Sequence, residues 1–403
     1  MKYKNLNLKY ALINASFMFM VCATSGYAYN FLSQSGFADG TVGMIITAVS
    51  ILGLIGQPLA GSVIDRSENI DEKKFISGAM IITIVLAVLL ALVPDGSLVM
   101  ILLTVICFFM AAVSLPFFNT MAFIYEKDGQ KINYGLGRGI GSAAYAVGSS
   151  LLGQLWGMMG KRIMPWYIAA FAVLSFLLLQ LMPTPSKAAE AEGEAEQNAE
   201  TAGLSYAAFF RKYGKIVYIV LSMVLLYFCH MLINVYIAKV IGNIMGEAAS
   251  AAGAVESVQG TALFIAAMVE LPAMFSFSKL IEKFSVNKLM VFASIAYSLK
   301  HVLTWLCPSV PVFYAVMVLQ MFGYAVLVPA AVYFAAQNVA EEDRNKGQAI
   351  MGITMTVGSL IASALGGQLF QLMSVSNVLM IGAAASCIGT LLMIIGVRQL
   401  ETK

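Results

Sequence analysis

The sequence predicts an all-α integral membrane protein, with twelve transmembrane helices in two pseudo-symmetric six-helix bundles. Composition is the first reason. The 403 residues are 60% hydrophobic and only 11% charged, with a mean hydropathy of +0.83, and one soluble core cannot hide that much apolar surface. Second, apolar stretches of roughly 20 residues, the length an α-helix needs to cross about 30 Å of hydrocarbon, follow one another with short polar breaks. Third, the halves repeat with a fixed offset of 214 positions. Pro58 returns as Pro272, Lys74 as Lys288, and Gly153-Gln154-Leu155-Trp156 as Gly367-Gln368-Leu369-Phe370.

The helices are expected near 9–32, 41–63, 75–93, 98–124, 135–159, 163–182, 215–241, 253–281, 288–306, 310–337, 347–373 and 376–397. Residues 1–182 form the first bundle, 183–214 a cytoplasmic linker with an interfacial helix, and 215–403 the second bundle. Lys2, Lys4 and Lys9 precede a long apolar run with no small-x-small cleavage site, so the run reads as an uncleaved first helix. The linker segment PTPSKAAEAEGEAEQNAE is acidic and Ala-rich and lacks the apolar residues needed to offset folding entropy. After it, LSYAAFFRKYGK sets aromatics beside Arg211, Lys212 and Lys215, a pattern suited to a helix lying at the interface.

Of the 24 Lys and Arg residues, 20 fall on the face that carries both termini and the linker. The opposite face holds Lys161, Arg162 and Lys239, and Lys300 lies within a span. The positive-inside rule then places both termini and the linker in the cytoplasm, with the chain in the plasma (inner) membrane. A net charge of +3, with no basic run interleaved with stacking aromatics, excludes nucleic acid as a partner. The five cysteines lie in or at the ends of apolar spans without metal-ligand spacing and read as small core residues. No nucleophile, base and orienter converge, and no Gly-rich Lys-Ser/Thr loop is present, so neither an enzyme nor an ATP-driven pump is expected. No metal or cofactor is implied.

Polar residues inside the spans carry the functional signal. Glu270 lies nine residues, about 13 Å, from Lys279 at the helix end. A carboxylate at that depth costs about 2.5–3.5 kcal/mol on insertion scales, so it must be paired or protonated and face a polar cavity. Lys300, near the middle of helix nine with His301 beside it, is its expected partner. His230 shares a helical face with Tyr227 and Asn234. Tyr27, Asn30 and Gln34 form a stripe in helix one, and Gln320, Tyr324 and Asn338 offer polar groups in helix ten. Small residues recur in helix five (Gly137, Gly141, Ser142, Gly148, Ser149, Gly153, Gly157) and helix eleven (Gly352, Gly358, Ser359, Ser363, Gly366, Gly367), which lets helices approach closely.

The loop after helix two, GQPLAGSVIDRSENIDEKKF, resembles the signature of the major facilitator superfamily, Gly-x-x-x-Asp-Arg followed by a basic pair. The resemblance implies that Gly61, Asp65, Arg66, Lys73 and Lys74 form a cytoplasmic gate, latched by the acid on basic groups of a neighbouring helix. The second copy, FSKLIEKFSVNK, keeps Lys283 and Lys288 but lacks the acid. QPLAGSVIDR and NYGLGRGIGSAAYAVGSSLLG are similar to the lactose permease and nucleoside symporter branch. That similarity implies substrate binding by Arg138, paired to a helix-four carboxylate. The nearest acid is Glu126, and Asn119 lies seven residues deeper on the same face. Where lactose permease carries a histidine and a glutamate in helix ten, LQMFGYAV offers Gln320 and Gly323, and neither titrates. Coupling therefore falls on Glu270, with Glu126 and His230 as further candidates. Glu256 lies about 21 Å further toward the outside and is set aside.

The expectation is a secondary transporter of a small polar organic solute, an oligosaccharide or nucleoside, by proton-coupled symport and alternating access. Solute contacts are assigned to Tyr27, Asn30, Asn119, Arg138, His230, Asn234, Lys300, Gln320 and Tyr324, and proton coupling to Glu270 and Glu126. Partners are the solute, H+ and the bilayer, and a monomer is expected. Proton-antiport efflux of drugs or metabolites, an uncoupled facilitator and a solute-binding membrane sensor are the alternatives. The topology has a direct test. A cysteine placed at Ala195 should react with an impermeant maleimide only in inverted vesicles, and labelling from outside in intact cells would overturn the orientation.

Overall fold

A computed structural model describes residues 5–67, 69–125, 129–183 and 205–401. Most of the linker and Glu126 lie outside the described residues. In chain order the α-helices are α1 (Leu6–Val21), α2 (Ala28–Gln34), α3 (Asp39–Arg66), α4 (Glu72–Leu92), α5 (Leu98–Ile124), α6 (Tyr134–Met159), α7 (Ile163–Gln180), α8 (Tyr206–Lys212), α9 (Ile216–Val235), α10 (Ile237–Met245), α11 (Ala254–Lys283), α12 (Val286–Trp305), α13 (Val310–Val318), α14 (Tyr324–Asn338), α15 (Arg344–Leu372) and α16 (Val375–Glu401). Pairs α1/α2, α9/α10 and α13/α14 each make one interrupted span, so the described residues contain the twelve expected spans. Ten are long and apolar enough to cross a membrane by length and composition alone. The other two, α6 and α12, are 26 and 20 residues long. Gly and Ser in α6, and Lys288, Lys300 and His301 in α12, lower the hydropathy without shortening the helix.

Local chemistry marks the helix starts. Asp71, Ser97 and Asn133 each accept a first-turn backbone N–H with a side-chain oxygen, from Lys74 (2.7 Å), Met100 (3.2 Å) and Leu136 (2.9 Å), satisfying donors that a helix start would otherwise orphan. The first span is broken by a π-helical turn, Cys22–Gly26. Here the hydroxyls of Thr24 and Ser25 both turn back to the Val21 carbonyl, competing with the backbone ladder.

By contact the chain forms two compact units, Met1–Ala191 with Ala248–Ala267, and Glu192–Glu247 with Met268–Lys403. Ala248–Ala267 belongs to the second half by sequence repeat, yet it packs with the first. Inside the first unit, α1 lies against α6 and α7, and α4 against α5 and α7. Inside the second, α9 lies against α15 and α16, and α12 against α14 and α16. The same pairing scheme is thus built twice, as the 214-residue repeat predicts.

The basic residues that broke the charge asymmetry have structural work in the first unit. Arg162 donates to the carbonyls of Leu90, Ala91 and Val93 (3.2, 3.2 and 2.9 Å), the orphan acceptors at the end of α4. With Lys161 it also clamps Asp95 (2.8 and 2.7 Å). In the second unit, α8 is tied to the start of α15. Lys212 donates to Asp343 (2.8 Å) and Glu342 (2.9 Å), and the Tyr213 hydroxyl donates to Asp343 (2.9 Å). The bond to Asp343, then that to Glu342, holds the Lys212 pKa above its ordinary value.

Lipid tails are as apolar as leucine, so helix association here rests on close packing rather than on exclusion of water. Two glycines show how close. A Cβ at Gly153 in α6 would collide with the Glu256 carbonyl of α11, and one at Gly260 in α11 would lie 2.6 Å from the Ser149 carbonyl of α6. Gly153→Ala should therefore lower folded yield and the apparent Tm in detergent. Gly352→Ala, where nothing lies within 4 Å, should be neutral or raise the Tm, since alanine gains about 1 kcal/mol over glycine inside a helix. Equal stability of the two variants would remove the contact from the account.

Candidate functional site

In the second unit the polar residues converge on one buried cluster. Lys300 is 2% exposed and Gln320 4% exposed. Lys300 Nζ donates to Gln320 Oε1 at 2.5 Å, and Gln320 Nε2 donates to Glu270 Oε1 at 2.8 Å. The sequence paired Glu270 with Lys300 directly; the structure places the Gln320 amide between them. An amide suits that position because it accepts from the ammonium at one end and donates to the carboxylate at the other. Gln320 is presented by a short 3-10 turn, Leu319–Met321, between α13 and α14. Gly323 follows it, packed so closely on Tyr297 that a Cβ would lie 2.8 Å from the ring.

Aromatic rings stand beside this chain of bonds. His230 stacks on Tyr324 with centroids 5.1 Å apart and planes at 24°, and lies 5.1 Å from Tyr297 and 6.4 Å from His301. Tyr227 meets Tyr297 and Tyr324 edge-on at 6.5 Å. Asn234 Nδ2 donates to His230 Nε2 at 2.9 Å and to the His230 carbonyl at 3.0 Å. His301 Nδ1 sits 2.7 Å from Ser386 Oγ, which joins Ser298 and Thr390 in a hydroxyl network. Two atoms are left over. Tyr297 Oη and His301 Nε2 are buried and have no hydrogen-bond partner among the described residues. Unpaired polar groups of this kind cost about 1–3 kcal/mol each, which makes these two candidates for contact with a solute. Sequence reasoning missed Tyr297, because a single tyrosine in an apolar helix carries no signal of its own. It noted His301 only as a neighbour of Lys300.

In the first unit the expected residues separate. Tyr10 donates to the Asn119 carbonyl (3.2 Å), and Asn14 Nδ2 donates to the Tyr10 carbonyl (3.0 Å). The side-chain oxygens of Asn14 and Asn119 are buried without a partner among the described residues. Arg138, five residues into α6, is exposed and its side chain makes no hydrogen bond or ion pair among the described residues. Tyr27 and Asn30 lie elsewhere. Tyr27 is fully buried, its hydroxyl donating to the Ser149 carbonyl (2.7 Å) and more weakly to the Glu256 carbonyl (3.3 Å). Asn30 donates to Glu256 and Gln259 (2.9 Å each).

The gate motif is also in the first unit. Asp65 and Arg66 end α3 exposed, with no side-chain partner among the described residues. Lys73 donates to the Met182 carbonyl at 2.6 Å, just beyond the end of α7, and Lys74 to the Asn69 carbonyl at 2.7 Å. A Cβ at Gly61 would meet nothing within 4 Å.

With the two polar clusters and the motif in place, the chain can be set beside known proteins. The sequence profile of the MFS_1-like family matches residues 10–380. This chain belongs to that family. It is therefore a multi-pass membrane transporter of the major facilitator type, not an enzyme. Its fold is similar to that of a mutant of the nucleoside transporter NupG, with a TM-score of 0.79 at 14% identity over 97% of this chain and 99% of that one. It is also similar to a bacterial homologue of the iron transporter ferroportin in an inward-facing state, with a TM-score of 0.70 at 15% identity over 99% and 100% of the two chains. A third likeness is to a bacterial homologue of the lysosomal transporter Spinster, with a TM-score of 0.64 at 14% identity over 98% and 95%. No curated protein matches the chain. For this family member, the Gln320 link can be tested without transport. Gln320→Leu keeps the volume but removes both bonds, at about 1–3 kcal/mol for each group left unpaired. The apparent Tm should fall by several degrees, and an unchanged Tm would show that Lys300 and Glu270 do not depend on the amide.

Proposed function

We propose that this chain is a secondary transporter of a small polar solute carrying an aromatic ring, a nucleoside in preference to an oligosaccharide, driven by proton symport. The observation that carries this reading is the pairing of a ring cluster with unpaired polar atoms. His230, Tyr297 and Tyr324 offer faces and edges on which a planar base can stack, an arrangement worth about 0.5–1.5 kcal/mol per ring pair beyond burial. Tyr297 Oη, His301 Nε2 and Asn234 supply hydrogen-bonding groups for base edges and sugar hydroxyls. The likeness to a nucleoside transporter supports the same choice. In the first unit, the orphaned acceptors of Asn14 and Asn119, with Arg138 at the start of α6, are candidate solute contacts.

Coupling is assigned to Glu270. As a carboxylate it accepts from Gln320, which in turn holds the Lys300 ammonium. Protonation removes the charge that favours this chain of bonds, so proton occupancy and the arrangement of the site are linked. Pro272, two residues on, removes the helical N–H that would meet the Met268 carbonyl and loosens α11 beside the carboxylate. Both termini in the cytoplasm and an Asp65 latch complete the reading.

Counterflow in proteoliposomes, with uridine and adenosine against lactose, is the deciding measurement. Nucleoside exchange without lactose exchange supports the substrate class, and lactose exchange alone would overturn it. Glu270→Gln should keep exchange but abolish uphill accumulation driven by a proton gradient, because an amide hydrogen-bonds yet releases no proton. Accumulation at the parental level, normalised to folded protein, would remove Glu270 from coupling.

A further inference from the structure

Glu256, in the first turn of α11, is 3% exposed. Among the described residues it makes no ion pair, which is unusual for a buried carboxylate, since desolvating a charge costs several kcal/mol. Its partners are neutral amides. Asn30 Nδ2 donates at 2.9 Å and Gln34 Nε2 at 2.7 Å, both to Oε1. Around them the bonds close into a network. Asn30 Nδ2 also reaches Gln259 Oε1 (2.9 Å), Gln259 Nε2 donates to the Gly26 carbonyl (2.6 Å), and Trp156 Nε1 donates to Gln34 Oε1 (3.1 Å). Gly26 ends the π-helical turn of the first span, where the widened backbone leaves its carbonyl available to Gln259. The glycine contacts of Gly153 and Gly260 bring α11 and α6 together at the same level. One acceptor stays unused: Asn30 Oδ1 is buried with no partner among the described residues.

We propose that Glu256 is a second proton-binding site, distinct from Glu270, and that its carboxylate holds the first half of α11 in the first unit until a proton arrives. The proposal rests on the transporter reading but not on Glu270 as the coupling residue. Charge-assisted bonds from the two amides are about twice as strong as neutral ones, so the ionised acid grips Asn30 and Gln34. The protonated acid is a weaker acceptor and gains an O–H. The orphaned Asn30 Oδ1 is the group able to take that proton donor, by a turn of the amide, and the turn withdraws Asn30 Nδ2 from Gln259. One proton thus weakens the Gln34–Glu256 bond and breaks the Asn30–Gln259 bond between α2 and α11, while the Asn30–Glu256 bond reverses direction. The other titratable and charged groups nearby already have partners. Tyr27 is bound to backbone carbonyls, and the Tyr145 hydroxyl lies 3.4 Å from Ser25 Oγ. Lys161 and Arg162 pair with Asp95, with Lys161 also donating to the Gln34 carbonyl, and Asp39 accepts from Tyr29. None of these is the group whose proton would rewire Asn30.

Trp156 is a built-in reporter, because it donates to Gln34 and stacks on Tyr27 with centroids 5.8 Å apart. The chain has three tryptophans, so Trp166→Phe with Trp305→Phe leaves Trp156 alone. In right-side-out proteoliposomes, iodide added outside should quench Trp156 at least twofold more strongly at about pH 5 than at about pH 8. Glu256→Gln should give the high quenching at both pH values, and Glu256→Asp should restore the response should the Gln variant not fold. Glu270→Gln should leave the response intact, which separates this proposal from the coupling role of Glu270. Quenching independent of external pH in the parent, a full response retained in Glu256→Gln, or a response abolished by Glu270→Gln would each overturn it.

Discussion

The arrangement depends on one constraint, that a polar group removed from water must find a partner or be neutralised. In a chain this apolar the backbone meets the constraint by forming helices, and the few polar side chains meet it by finding one another. Lys300, Gln320 and Glu270 form one solution, an ammonium and a carboxylate joined through an amide. Asn30, Gln34, Gln259 and Glu256 form another, a carboxylate held by amides alone. Where the solution is incomplete among the described residues, as at Tyr297, His301, Asn14 and Asn119, buried polar atoms remain without a partner.

Most of the fold was legible in the sequence, since span length and the 214-residue repeat report physical requirements that hold residue by residue. Even α6 and α12, too polar for a hydropathy threshold, were placed by the repeat, and α6 also by its small-residue pattern. Glu270, Lys300 and His230 were legible because an ionisable or polar residue in the middle of a span is costly wherever it points. Their connections were not. Whether Gln320 stands between an acid and a base depends on the turn at Leu319–Met321 and on side-chain rotamers, which leave no periodic trace.

Glu256 shows the limit from the other side. An acid near the start of a helix is ordinarily a favourable neighbour of the helix dipole, so nothing in the sequence set it apart. Its partner Asn30 lies 226 positions away, and Asn30 drew notice as a solute ligand rather than as part of a closed network. The gate motif was recognised as a sequence pattern, yet its lysines divide their roles. Lys73 meets a carbonyl beyond the end of α7, while Asp65 projects without a partner among the described residues.

The length of α11 has a further consequence. Its 30 residues extend about 45 Å at 1.5 Å per residue, against a hydrocarbon core of about 30 Å. The excess is a hydrophobic mismatch, relieved by tilting the helix or by letting its ends project into the headgroups. Glu256 lies in the first turn, on the stretch that projects or tilts, while Glu270, fourteen residues along, stays at hydrocarbon depth. Bilayer thickness therefore bears unequally on the two carboxylates: longer acyl chains draw the first toward the hydrocarbon and leave the second where it was.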